Sequence, residues 1–178
     1  MTANTAGEPP AIRTKDISQL VSHTQSKPFE AEYISGFIAE VLGVSRMRPK
    51  KRRLNQKQLV IDLLQKGLMP NSVGLLQSAL QITKNDMYKY LNIPYATFKR
   101  RVEQGRLKAD ESDRVYRFAH LFSLAIGMMQ GDRAAAAKWF STPKEILGGE
   151  TPLAHAATEI GAREVEQLIG RIRHGVFS

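Results

Sequence analysis

The sequence predicts an all-α protein in which a basic part is followed by a helical part of balanced charge. Apolar residues recur every three or four positions in each patterned segment, and no segment alternates apolar and polar residues as a strand would. Residues 1–109 contain 18 Lys and Arg against 8 Asp and Glu, whereas residues 110–178 contain 8 against 9. The basic part favours a polyanionic partner such as nucleic acid, and the second part favours a partner of another kind.

Composition excludes several classes of protein. The 178 residues include no cysteine, which excludes disulfide frameworks, thiolate metal sites and cysteine nucleophiles. No run approaches the roughly 18 consecutive apolar residues that suggest a membrane span, so we expect no membrane contact. The N-terminal segment 1–16, MTANTAGEPPAIRTKD, lacks the apolar segment typical of a signal peptide, and we therefore expect a cytoplasmic protein.

Residues 1–53 are predicted to form a flexible, basic N-terminal extension. Within it, apolar residues at helical spacing indicate a possible helix over 29–44. The run RMRPKKRR at 46–53 contains six basic residues and no acid, and Pro49 disfavours a continuous helix through it. This run fits a solvated linker as well as it fits an arm that binds phosphates. The candidate phosphate-binding residues are Lys50, Lys51, Arg52 and Arg53.

Residues 54–109 are predicted to contain four short helices that together make a helix-turn-helix DNA-binding domain. Capping residues and helix breakers mark where each helix should begin and end. These markers are Asn55 and Gly67 for the first helix, Pro70 and Asn71 for the second, Thr83 and Asp86 for the third, and Pro94 and Gly105 for the fourth.

The third and fourth helices, joined by a tight turn, have the pattern of a helix-turn-helix motif. Asn92 lies where such turns often place glycine, since Asn tolerates a positive φ better than most residues. Phe98 and Val102 are spaced i, i+4 and are expected to face the core, which leaves the basic side chains outward. We therefore predict DNA binding, although a solvated basic helix would show the same pattern. The candidate DNA-binding residues are Tyr95, Thr97, Lys99, Arg100 and Arg101.

Residues 110–178 are predicted to form a small helical domain. A long helix is expected over about 110–129, with three acids in its first turn that suit the helix dipole. Asp132 can cap the following run RAAAAKWF, and the proline- and glycine-containing segment 141–152 is expected to be a loop. The final helix should bury one face and end near Gly175. That face consists of Val165, Leu168, Ile169 and Ile172.

Short motifs spread over about residues 68–178 resemble those of one protein family. They are Glu111-Ser112-Asp113-Arg114, Ala137-x-Trp139-Phe140-x-x-Pro143, Leu147-Gly148-Gly149-x-x-Pro152, Gly161-Ala162-x-x-Val165 and His174-Gly175-Val176-Phe177. Together they resemble the antitoxins of the Xre/MbcA/ParS family. The resemblance implies an Xre-like helix-turn-helix domain joined to a small helical toxin-binding domain. It also implies a RES-domain toxin that depletes NAD as partner, and an antitoxin that covers the active site of that toxin while the complex represses its own operon.

Two places in the second part are the candidate toxin-binding residues. The resemblance points to the loop that contains Leu147, Gly148 and Gly149. Near the end of the last helix, Arg171, Arg173 and His174 place donors where a site for the phosphates of NAD would attract them. The alternative is that these cations only offset the negative end of the helix dipole.

No pattern in the sequence predicts an enzyme, a metal site or a cofactor. The four histidines lack metal-ligand spacing, and Ser112 has no histidine near it in the sequence to make it a nucleophile. One short recognition helix offers few base contacts, so we expect a homo-oligomer on a repeated or palindromic operator. The other function considered is an autonomous helix-turn-helix regulator whose second part only dimerises.

Overall fold

The computed structural model describes residues 36–44 and 56–175. Within these ranges the chain forms helices joined by turns, without any strand, which confirms the predicted all-α fold. The helices are α1 (Gly36–Val41), α2 (Gln56–Lys66), α3 (Asn71–Leu80), α4 (Lys84–Tyr90), α5 (Tyr95–Gln104), α6 (Ala109–Met128), α7 (Arg133–Phe140), α8 (Pro152–His155) and α9 (Glu159–His174). A single 3-10 turn at Glu145–Leu147 precedes α8.

Helix α6 is the centre of the fold, because it packs against α1, α2, α3, α7 and α9. Its buried residues include both aromatic and small side chains. The small side chains let neighbouring helices approach closely, and the aromatic side chains fill the space between them. The ring of Phe122 meets Phe37 edge-on at 5.3 Å and Phe140 at 5.8 Å between centroids. This aromatic stack joins the first described helix to α7, so the described residues share one continuous core.

Most helix ends agree with the capping residues in the sequence. The side chain of Asp132 accepts hydrogen bonds from the backbone amides of Ala134 and Ala135 at the start of α7. The side chain of Thr83 accepts a hydrogen bond from the backbone amide of Asp86 at the start of α4. The carboxylate of Asp86 accepts from the hydroxyl of Thr83, and not from the backbone amide of Thr83 as in a complete capping box. The predicted capping box is therefore only half formed.

Part of the predicted N-terminal organisation lies outside the described residues. Of the helix expected over 29–44, the structure describes α1, where Phe37, Ile38 and Val41 are buried. Asn55, the expected cap of α2, lies outside the described ranges, as does the basic run at 46–53.

The backbone at Gly67 and Leu68 lies against that of Leu107, just before α6, and this contact is called the glycine clasp. Gly67 ends α2 with a φ of +83°, and a Cβ atom there would lie 2.0 Å from the carbonyl oxygen of Leu107. Beside it, the amide of Leu107 donates to the carbonyl of Leu68 at 2.9 Å. The connection from α2 to α3 thus touches the connection from α5 to α6 backbone to backbone, which only glycine allows.

Candidate functional site

The helix-turn-helix consists of α4, a turn at residues 91–94, and α5. Asn92 has a φ of +50°, as predicted from its position in the turn. On either side of it Leu91 and Ile93 are buried, which fixes the turn to the core. Helix α5 contacts α4 through an aromatic group, in which Tyr88 lies 5.0 Å from Phe98 and 5.9 Å from Tyr95.

The first half of α5 presents most of the predicted DNA-binding side chains to solvent. Tyr95 is 66% exposed, and Lys99 and Arg100 are also exposed. Thr97 is half-buried against the body of the protein. An exposed phenol and two cations on one short helix can contact phosphates and base edges, since neither cation has to be taken out of a core.

The predicted orientation of Arg101 and Val102 is wrong. Arg101 is 5% exposed, whereas Val102, expected in the core, is 53% exposed. The buried carboxylate of Glu111 lies 2.8 Å from Arg101 Nε and compensates its charge. Because of this pairing, the helix is rotated relative to the direction that the apolar spacing of Phe98 and Val102 implied. Arg101 is consequently buried in an ion pair instead of lying on the exposed face of the helix.

Several hydrogen bonds hold the ion pair and its two partners in place. Arg101 Nε donates to both carboxylate oxygens of Glu111, at 2.8 and 3.0 Å, and Nη1 donates to Gln104 at 2.8 Å. The amide of Lys108 also donates to Glu111 at 2.8 Å. Burial alone would raise the pKa of Glu111, but the hydrogen bonds from Arg101 and Lys108 outweigh it and hold the pKa below its usual value. The glutamate is therefore a carboxylate at neutral pH.

Two neighbours of Glu111 also connect α6 to the helix-turn-helix. The hydroxyl of Ser112, fully buried, accepts from the amide of Leu68 at 2.9 Å and donates to the carbonyl of Lys108 at 2.7 Å. Arg114 Nε donates to the carbonyl of Leu91, in the turn before α5, at 2.7 Å. The motif Glu-Ser-Asp-Arg at 111–114 is therefore a structural junction.

A second candidate surface surrounds the loop between α7 and α8. Gly148 and Gly149 are exposed with φ of +66° and +82°, and the amide of Gly149 donates to the carbonyl of Lys144 at 3.0 Å. Leu147, predicted to contact a toxin, is instead 6% exposed and anchors the loop in the core. The loop is held together by backbone hydrogen bonds, and its backbone at the two glycines is exposed to solvent.

Next to this loop, Lys144 lies over the ring of Trp139, with Nζ 5.4 Å from the centroid. Burial of the ammonium group there lowers the pKa of Lys144. Trp139 itself is half-buried and packs against Phe140, which supports a packing role for this indole over a base-stacking one.

A histidine joins the loop to the last helix. His155 Nδ1 lies 2.8 Å from a carboxylate oxygen of Glu150 in the loop, and Nε2 lies 2.5 Å from one of Glu164 in α9. Hydrogen bonds to Glu164 and then to Glu150 raise the pKa of His155. No sequence spacing predicted this group, since its three members come from different segments of the chain.

Helix α9 buries one face and exposes the predicted donors at its end. Val165, Leu168 and Ile169 are buried as predicted, and Ile172 is half-buried. Arg171, Arg173 and His174 are exposed in the last turn, before Gly175 ends the helix with a φ of +66°. Residues 176–178, which include the end of the last family-like motif, lie outside the described ranges.

In the described residues after 110, two exposed large apolar side chains were not predicted from the sequence. Ile160, in the first turn of α9, is 75% exposed, and Ile146 in the 3-10 turn is 58% exposed. Ile160 precedes Val165 by five positions, which places it on a different side of the helix from the buried stripe. Its exposure could therefore have been predicted from the spacing in the sequence.

The described part of the chain has no group of three or more residues suited to hold a metal ion. Among the helices that the structure describes, none combines the length and apolar character needed to cross a membrane.

Comparison with protein families finds a match in each half of the described chain. Residues 60–120 match the antitoxin Xre-like helix-turn-helix domain, and residues 123–175 match the antitoxin Xre/MbcA/ParS C-terminal toxin-binding domain. The first match includes α4, the turn and α5. The second includes the glycine loop and α9.

Three relatives are named Antitoxin Xre. The protein from Yersinia enterocolitica is 34% identical over 121 residues, which cover 67% of this chain and 82% of that protein. The protein from Photorhabdus laumondii is 36% identical over 117 residues, covering 65% and 79% of the two chains. The protein from Pseudomonas putida is 38% identical over 84 residues, covering 47% and 52%. These two domain matches and the relative that the chain covers to 82% show that the chain belongs to the Xre/MbcA/ParS family of antitoxins.

Proposed function

We propose that this antitoxin neutralises a RES-domain toxin that depletes NAD, and that it represses its own operon by binding operator DNA. The observation that carries this proposal is the presence of two chemically different exposed surfaces. Both belong to elements attached to α6, since α5 is joined to it by the Arg101–Glu111 pair and α9 packs against it. One is the basic first half of α5, and the other is the glycine loop with the end of α9. The protein acts in the cytoplasm by binding, without catalysis.

In the DNA-bound state, α5 lies in the major groove as the recognition helix. Arg100 is its strongest candidate for reading a guanine edge, because its guanidinium is exposed and can form two parallel hydrogen bonds. Lys99 and Tyr95 contact phosphates beside it. Since one such helix offers few base contacts, two or more copies bind a repeated or palindromic operator.

A gel-shift titration with the region upstream of the gene tests the DNA contact. Replacing Arg100 by Ala should weaken binding by about 1–3 kcal/mol. Arg163→Ala is the matched control, because it removes another exposed guanidinium, from α9 and outside the helix-turn-helix. Equal affinity of the Arg100 variant and wild type would rule out this residue as a base contact.

The basic run at 46–53 is a candidate for added phosphate attraction. Neutralising Lys50, Lys51, Arg52 and Arg53 together should flatten the salt dependence of DNA binding, by about 0.9 in the log–log slope for each lost phosphate contact. An unchanged slope would favour the solvated linker.

For the toxin, we propose that the glycine loop and the chain end cover the entrance of the active site. The exposed backbone at Gly148 and Gly149 permits close approach, and Arg171, Arg173 and His174 offer donors to a site built for phosphates. The exposed apolar side chain of Ile160 adds area that a protein partner would bury.

Co-expression with the cognate toxin tests the arrangement. Deleting residues 171–178 should abolish rescue of growth and leave DNA binding in place. Full rescue by the truncated protein would make the glycine loop the better candidate. Ile160→Asp should weaken co-purification of the toxin. If that variant instead changes only the oligomeric state, the second part serves dimerisation, as in an autonomous regulator.

A further inference from the structure

We propose that the buried ion pair between Arg101 and Glu111 positions α5 for sequence recognition in DNA. This inference rests on the proposed role of α5 as the recognition helix. Arg101 and Glu111 do not touch DNA in this arrangement. They act through Arg100 and Lys99, whose directions they set.

The ion pair is the buried side-chain attachment of α5 to α6. Arg101 is the buried residue of this ten-residue helix. Phe98 is only half-buried, and Val102 points to solvent. Phe98 and Tyr95 add apolar contacts with Tyr88 of α4, whereas the ion pair attaches the helix to α6.

The geometry of the pair allows one arrangement of the helix. Arg101 and Glu111 side chains are 6% and 5% exposed, and Nε reaches both carboxylate oxygens within 3.0 Å. Glu111 is itself held by the amide of Lys108, and Arg101 by Gln104 of its own helix. A charged pair buried this deeply must keep its hydrogen bonds, since any rotation of α5 would leave a charge unpaired.

The rotation of α5 determines which side chains reach DNA. Successive residues on an α-helix differ by about 100° in direction. With Arg101 directed at α6, its neighbour Arg100 and Lys99 before it project from the exposed side of the helix. A small rotation would move the guanidinium of Arg100 away from a base edge, because bidentate contacts tolerate little displacement.

This role differs from simple stabilisation. Replacing a buried ion pair by well-packed apolar residues is often neutral or stabilising, so the pair is weak evidence for stability. A positioning role predicts loss of sequence discrimination, whereas phosphate attraction, which depends on total charge, should survive. The ratio of affinities for two DNA sequences therefore separates the two roles, because partial unfolding would lower both affinities by the same factor.

The experiment uses the full chain and two duplexes of equal length and composition. One carries the region upstream of the gene, and the other is its scrambled counterpart. Glu111→Gln removes the charge but keeps the shape, and Arg101→Lys keeps the charge but loses the forked donor. The control Asp113→Asn removes one exposed carboxylate two residues further along α6. Thermal unfolding shows which variants are folded.

For both pair variants we expect the preference for the upstream duplex to fall about tenfold, the effect of one lost base contact, with little change on the scrambled duplex. Asp113→Asn should keep the wild-type preference. If the single variants do not fold, the double variant Arg101→Met with Glu111→Leu provides the measurement, since it leaves no unpaired charge. Folded variants with the wild-type preference would overturn the inference. A wild-type protein without any preference would instead refute the proposed DNA recognition.

Discussion

Replacing Ser112 by Ala should destabilise the protein by about 1–2 kcal/mol. The hydroxyl is fully buried and accepts from the amide of Leu68 at 2.9 Å. Without it the buried amide loses its acceptor, at a cost of about 1–3 kcal/mol. The carbonyl of Lys108 keeps its bond from the Ser112 amide, at 2.8 Å, so the loss on that side is small. Alanine returns up to about 0.5 kcal/mol through its better helix propensity.

The measurement is thermal unfolding with site-specific amide hydrogen exchange. For a chain of this size, about 1–2 kcal/mol corresponds to a fall in Tm of roughly 2–8 °C. The amide of Leu68 should exchange faster in the variant. Ser78→Ala, an exposed change within α3, is the control and should stay within about 0.5 kcal/mol of wild type. If Tm and the Leu68 exchange rate match those of wild type, Ser112 does not hold the α2–α3 connection, and the structural interpretation of the motif at 111–114 is wrong.

Three further predictions concern the glycine clasp, a helix cap and the histidine. Gly67→Ala should unfold at markedly lower urea concentration than wild type, because its new Cβ would overlap the Leu107 carbonyl. The control Gly74→Ala should raise the free energy of unfolding by about 0.5–1 kcal/mol, since open space surrounds that helical position. Asp132→Ala should lose about 1 kcal/mol in a urea titration, because two amides of α7 lose their cap. His155→Gln should cost most stability at low pH. Its two glutamates raise the folded pKa above the unfolded value, so the stabilisation is complete below the unfolded pKa and is lost as pH rises through the folded one. A Tm difference between wild type and this variant that grows with pH would contradict that account.

Helix positions were predictable from sequence because their signals are local. A cap such as Asp132, or the positive φ of Asn92, depends on residues within one turn of the chain. The order of the helices and the buried stripe of α9 followed in the same way from spacing.

The orientation of α5 was not predictable in this way. The spacing of Phe98 and Val102 indicated that these two residues face the core. The residue of α5 that faces α6 is instead Arg101, which pairs with Glu111 of that helix. A long, charged side chain at a core-facing position violates the usual pattern, and only the folded arrangement brings the compensating carboxylate within reach. Leu147 was likewise expected at a partner surface, whereas the fold leaves it only 6% exposed.

Helix α6 has a consequence for how the two activities can be separated. The helix-turn-helix match ends at residue 120 and the toxin-binding match begins at 123, so the border between them falls inside a single helix that spans Ala109–Met128. A chain cut at that border would divide the helix and expose the ring of Phe122, which contacts both Phe37 and Phe140. Neither fragment would keep its own half of the core, so a hybrid antitoxin with exchanged specificity has to be joined before Ala109 or after Met128.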